Sequence, residues 1–226
     1  MQPNPPISGS SLTGAVTITQ LLMNSEVDQH EQSPQYWIKP EQYEEMRHAV
    51  YDASPPYLQA RDRLQLRSYY IWGLRVEESC NLDVGMIDLD DEALRLPSHA
   101  QKDYPNNQSP PPATIDLTRE GVAEIRDYLR DRWKDTEALF PSRSSPRITT
   151  RAAENVVKKL AREADIRPYS THGRGQPGDV TPHTLRHSVA YRMIEREGES
   201  LDAVQRRLRH ATILTTQREY SHFDRV

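Results

Sequence analysis

The segment His183-Thr184-Leu185-Arg186-His187 places three reactive side-chain types within five residues. On a helix, positions 183 and 187 share a face, and so do 183 and 186. Two histidines at that spacing can bind zinc. The metalloprotease pattern, however, needs Glu directly after the first His, and this chain has Thr184 there. The single cysteine, Cys80, offers no Cys-based ligand set and no disulfide within the chain. No metal is therefore expected. A His and an Arg one turn apart suit a phosphate better, because Arg presents a fixed fork of donors and His can hold or move a proton near neutral pH. Taken alone, the segment also reads as a helix surface with scattered basic residues.

Three more segments stand with it. Upstream lie Trp72-Gly73-Leu74-Arg75-Val76-Glu77-Glu78 and Gln101-Lys102-Asp103. Downstream lies Leu208-Arg209-His210-Ala211-Thr212-Ile213-Leu214-Thr215-Thr216-Gln217, followed by Tyr220. With Thr181-Pro182-His183-Thr184-Leu185-Arg186-His187-Ser188, these resemble the ordered boxes of the tyrosine recombinases, the phage integrase family. They match its first-arginine box, its hairpin lysine, its second-arginine box and its closing His, Thr-Thr and Tyr. The resemblance covers roughly residues 38–222.

The resemblance implies a site-specific DNA recombinase or integrase of a virus, plasmid or integrated element. Such an enzyme cuts a phosphodiester by attack of a tyrosine hydroxyl and leaves a 3′-phosphotyrosine and a free 5′-hydroxyl. A second strand's hydroxyl reverses the step, so no cofactor is needed. This is covalent nucleophilic catalysis. By resemblance, Arg75 and Arg186 clamp the non-bridging oxygens and Lys102 protonates the departing 5′-oxygen. His183 exchanges a proton with the nucleophile Tyr220, His210 hydrogen-bonds the phosphate and Glu78 orients Arg75. The implied partner is double-stranded DNA, engaged by a homotetramer, with an accessory protein where binding needs help. The simpler readings are a packing histidine at His187, core or rim aromatics at Tyr69, Tyr70 and Tyr191, and a buried small residue at Cys80.

The match departs from the family at three places. The family usually has its Tyr one position earlier, where this chain has Glu219, and one residue turns a helical side chain by about 100°. Arg209 stands where Gly is common, and a tight turn there is expected to resist Arg. Only about 37 residues precede the catalytic region, so the family's N-terminal clamp domain is expected to be missing and DNA binding by the chain alone to be weak. These departures keep a second reading open: a recombinase-like module that binds DNA or regulates without cutting.

The 226 residues suit one main domain. No run approaches the roughly 18 apolar residues of a membrane helix, and the start MQPNPPISGS lacks a basic, apolar leader pattern. A cytoplasmic protein without membrane contact is expected. Net charge is −4, which argues against a general nucleic-acid-coating protein. The average hides a split: residues 1–140 carry 13 Lys and Arg against 23 Asp and Glu, and residues 141–226 carry 16 against 10. Such asymmetry points to one face that meets a polyanion, or to chance clustering on solvated helices.

Residues 1–37, rich in Pro, Ser, Gln and Asn, predict a poorly ordered segment, with an apolar patch at residues 18–23 that could dock as one helical turn. Residues 38–226 form the expected catalytic domain. Helices are expected from Pro40 to the Ser54-Pro55-Pro56 break, over 58–73, over 75–80, over 119–133 behind a Thr118 cap, and from Thr149 or Thr150 to 164. Further helices are expected over 181–197, over 201–209 and from Thr215. Short strands are predicted within 84–91, over 93–97 and over 113–117, with a long hairpin loop at 98–112 and a flexible loop at 167–180. The sum is a mainly helical α+β fold, a recombinase-like catalytic domain with a small antiparallel sheet packed on helices.

Overall fold

The computed structural model describes residues 35–104, 108–220 and 222–223. The tail at 1–34, with its apolar patch, lies outside the described residues. Helices α1 (Pro40–Ala53), α2 (Pro56–Tyr70) and α3 (Val76–Cys80) come first. A three-stranded sheet follows, β1 (Ile87–Asp88), β2 (Ala93–Leu96) and β3 (Ala113–Asp116). Then come α4 (Arg119–Asp131), α5 (Thr150–Glu163), a two-strand hairpin of β4 (Tyr169–Ser170) and β5 (Gly173–Arg174), α6 (Pro182–Tyr191), α7 (Leu201–Leu208) and α8 (Ile213–Tyr220). The expected mainly helical α+β architecture is what the chain adopts.

Side-chain caps start four of these helices. Thr118, Thr149, Thr181 and Ser200 each accept the backbone N–H three residues on, at 3.1–3.3 Å. Each satisfies an N–H that the first turn leaves without a helical partner. Proline supplies the first position of α1, α2 and α6.

Helix α2 is the centre of the molecule. Nine of its residues are buried, polar ones included, because helices and the sheet cover it on several sides. Arg67 donates to Glu124 and Glu120 at 2.6 Å each, tying α2 to α4. Leu64 joins Trp72, Leu74, Leu94, Leu96, Ile125 and Phe140 in a core between α2 and the sheet. Leu66, Tyr69 and Tyr70 face a second core with Met46, Val50, Val157, Leu160 and Leu185. A third cluster, of Val189, Met193, Val204, Leu208, Tyr220 and Phe223, packs α6, α7 and α8 together. Cys80, Tyr69 and Tyr70 are buried as the sequence suggests.

The sheet is an antiparallel meander in the order β1-β2-β3, with Leu94 opposite Ile87 and Ile115. Lys102 lies in the long β2–β3 connection, just after a 3-10 turn at Ser98–Ala100.

Three local expectations are corrected. Residues 167–180 hold the β4–β5 hairpin and a 3-10 turn, Pro177–Asp179. Tyr169 anchors this segment: its backbone bridges Trp37, and Arg174 lies 3.9 Å over its ring. The helix expected over 181–197 is α-helical only to Tyr191 and continues as a π-helical turn, Arg192–Arg196. Arg209 does adopt the left-handed turn, at φ 52° and ψ 47°, directly after α7. A non-glycine residue there costs roughly 1–2 kcal/mol.

Candidate active site

The turn from α2 to α3 builds one wall. Gly73 sits at φ +65°, and a Cβ there would meet Leu208 at 3.1 Å. That conformation turns the Gly73 carbonyl toward α6 and presents Arg75 at the head of α3. Glu78, one turn further on, is fully buried. Its Oε2 accepts the Arg75 backbone N–H at 2.8 Å, and its Oε1 accepts Arg75 Nη1 at 2.8 Å. Arg209 Nη2 also donates to Oε2, at 2.6 Å. Burial opposes the carboxylate's charge. Arg209, Arg186, Arg75 and the Arg75 N–H outweigh it and hold Glu78 down to about 2.

Helix α6 builds the second wall. Arg186 is buried, with Nη1 donating to the Gly73 carbonyl and Nη2 to the Leu208 carbonyl. One guanidinium thus joins the α2–α3 turn to the end of α7. Burial first, then Arg75 and Arg209, push Arg186 down to about 9, and Glu78 partly offsets this. It remains cationic at neutral pH. His183, at the second position of α6, is lowered by burial and then by Arg186 and Arg75, so it is neutral and able to accept a proton.

Helix α8 and the turn before it close the site. His210 Nδ1 lies 3.0 Å from Thr216 Oγ1. Burial, then Arg186, Arg75 and Arg209, lower His210 to about 3. Tyr220 is buried at the end of α8. Its ring stacks on His210 at 5.9 Å and 6°, and lies 4.6 Å from His187. Burial pushes its phenol up, against a lowering pull from Arg186.

All six residues that the sequence nominates, Arg75, Lys102, His183, Arg186, His210 and Tyr220, line one cavity of about 800 Å³. Lys102 stands at the rim, largely exposed, 3.7 Å from Glu77. Glu219 shares the cavity wall, and burial raises its carboxyl. No group of three His, Cys, Asp or Glu among the described residues is placed to hold a metal ion. A cavity with two guanidiniums, a lysine, neutral imidazoles and a phenol can bind an oxyanion and move a proton to or from a nucleophilic oxygen.

A sequence model of the phage integrase family matches residues 36–225. The chain belongs to the phage integrase family. Among relatives in that family, tyrosine recombinase XerC of Xanthomonas axonopodis pv. citri (strain 306) is 32% identical over 165 residues, 73% of this chain and 47% of the relative. Tyrosine recombinase XerA of Pyrococcus furiosus is 32% identical over 161 residues, 70% of this chain and 49% of the relative. This chain therefore spans about half the length of these relatives. The crystal structure of XerA recombinase superimposes with TM-score 0.63 at 25% identity, covering 82% of this chain and 58% of that one. The Tn1549 transposon integrase in complex with transposon right end DNA shares the fold, with TM-score 0.66 at 18% identity, covering 87% and 64%.

Within this phage-integrase domain, the sequence did not reveal three features. Arg209 reads there as a misfit, although it is the second cation on Glu78. His187 reads as a packing residue, and it is one, but it packs against Tyr220. Glu219 enters the same cavity as Tyr220. The order of residues signals each position, but only the fold shows which side chains meet.

Proposed function

We propose that this chain is the catalytic part of a site-specific tyrosine recombinase, with residues 38–226 as its catalytic domain. The observation that carries the reading is the meeting of a buried tyrosine with two arginines, two histidines and a lysine in one cavity. Family membership, and relatives named as tyrosine recombinases, support it.

In this reading Arg75 and Arg186 hold the non-bridging oxygens, where charge builds in the transition state. Tyr220 Oη attacks phosphorus and passes its proton to neutral His183. The bond from phosphorus to the 5′-oxygen breaks, and Lys102 supplies that oxygen with a proton. His210 donates to the phosphate. The chain would work as a homotetramer on two duplexes in the cytoplasm, with an accessory protein where its own DNA grip is weak. No described helix is long and apolar enough to cross a membrane.

The test is covalent trapping on nicked duplexes tiled across the DNA that flanks the protein's own gene. A protease-sensitive adduct on a denaturing gel is the expected result. The reading of a binding module that does not cut draws on the deep burial of Tyr220, 1% exposed, and on its late position. Salt-sensitive DNA binding with no adduct on any duplex would favour that module. In either case the contacts fall mainly on phosphates, so affinity for duplex DNA should drop about 10³-fold or more between 50 and 200 mM salt if six or more phosphates are neutralised. Filter binding across that range checks this, and a flat response would contradict it.

A further inference from the structure

We propose that Arg209 is a positioning residue for the phosphate clamp, fixing the Glu78 carboxylate and, through it, the Arg75 guanidinium. This rests on the recombinase reading and names a part of its machinery. Arg209 is not on the cavity wall, so it acts through Glu78.

The backbone at 209 would suit Gly or Asn, since φ is 52°. What Arg brings to this position is its side chain. That side chain is 8% exposed, and its Nη2 sits 2.6 Å from Glu78 Oε2. Nη1 donates to the Arg207 carbonyl at 3.2 Å, and Nη2 has a longer contact with the Gly73 carbonyl at 3.4 Å. The guanidinium is thus held from three directions at the junction of α7 and the α2–α3 turn.

Glu78 divides its two oxygens. Oε1 holds the Arg75 guanidinium; Oε2 holds the Arg75 backbone N–H and Arg209. A carboxylate pinned at both oxygens cannot swing about its last torsion. Arg75 is 28% exposed and reaches into the cavity, so its direction depends on that pin. Without Arg209, Oε2 of this fully buried carboxylate keeps only the neutral Arg75 backbone N–H, so the hold on that oxygen weakens and Glu78 can shift toward Arg75 or Arg186. A clamp displaced by about 1 Å can lose a hundredfold in rate.

Three substitutions in the full chain separate this role from a plain turn: Arg209→Gly, Arg209→Asn and Arg209→Lys. Gly and Asn relax the backbone and remove the charge. Lys keeps the charge and the strain. The two roles therefore predict opposite orders. The first readout is the adduct rate at saturating nicked duplex, taken from duplexes tiled across the DNA flanking the gene. The second is the Arg75 guanidinium N–H signal in NMR, assigned with Arg75→Lys, which needs no DNA.

Gly and Asn are expected to lower the adduct rate by about tenfold to a hundredfold while half-saturation by DNA moves less than about threefold. They should also broaden or lose the Arg75 signals. Lys should hold the rate within about fivefold of wild type and keep the signals. Gly and Asn variants with wild-type rates and sharp Arg75 signals would overturn the proposal. If wild type forms no adduct, the recombinase reading fails separately, and the Arg75 signals still decide the role of Arg209: sharp in the Gly variant, it has none.

Discussion

Arg186→Ala is expected to lower the rate of adduct formation by about 10²–10³-fold, the loss typical of one donor to a developing oxyanion, and to destabilise the fold. The two losses have one origin. Arg186 lies on the cavity wall, yet its Nη1 and Nη2 already serve the Gly73 and Leu208 carbonyls. Truncation leaves both carbonyls without that donor, at about 1–3 kcal/mol each where no water replaces it. It also removes one of three cations around Glu78. Arg186→Lys keeps a charge but not the planar fork, so it should recover part of the stability and little of the rate. Thermal unfolding and single-turnover trapping on the same preparations check this. An Arg186→Ala variant as stable as wild type would show that the guanidinium does not tie the α2–α3 turn to α7.

Acid is expected to destabilise the protein in part through His187. This ring is 1% exposed, and neither nitrogen has a partner among the described residues. The cations and imidazoles that face it, His183, His222, His210 and Arg186, all disfavour a further positive charge. Burial above all, and then these neighbours, lower it from 6.5 to about 3. The folded pKa lies below the unfolded one, so the stabilising contribution is complete above pH 6.5. It is lost as pH falls toward 3. At pH 5 the loss from this residue alone is about 2 kcal/mol. His187→Leu removes the titration and two unpaired polar atoms. Its unfolding temperature should exceed that of wild type by more at pH 5 than at pH 7.5. His210 and Glu78 titrate in both proteins, so some acid sensitivity will persist in the variant. Parallel curves for the two proteins between pH 7.5 and 5 would contradict this account.

Much of this domain was legible in the sequence, for identifiable reasons. Thr118, Thr149 and Thr181 announce helices because their hydroxyls satisfy first-turn N–H groups, a strictly local effect. The strands at 93–96 and 113–116 follow from short apolar runs bounded by turn residues. The six site residues came from the resemblance of four short segments to the family's boxes, and the fold brings them to one cavity. What stayed hidden depends on distant partners. Residues 167–180, with three glycines, look mobile in isolation, but Tyr169 ties them to Trp37 across more than a hundred positions. Nothing local separates the α-helical turns up to Tyr191 from the π-helical turn that follows. Arg209 looks wrong for its turn until Glu78, far back in the chain, is seen beside it. The late position of Tyr220 also looks worse in sequence than in the fold, where Glu219 and Tyr220 both reach the cavity.

The central claim is that Tyr220 is the residue that takes the DNA strand. Its most direct test is peptide mapping of the covalent adduct. The wild-type adduct would be digested with protease and nuclease, and the modified peptide sequenced by mass spectrometry beside a Tyr220→Phe control. The account predicts a nucleotide phosphate on Tyr220 and no adduct in the control. An adduct that survives Tyr220→Phe, or maps to another residue, would contradict it.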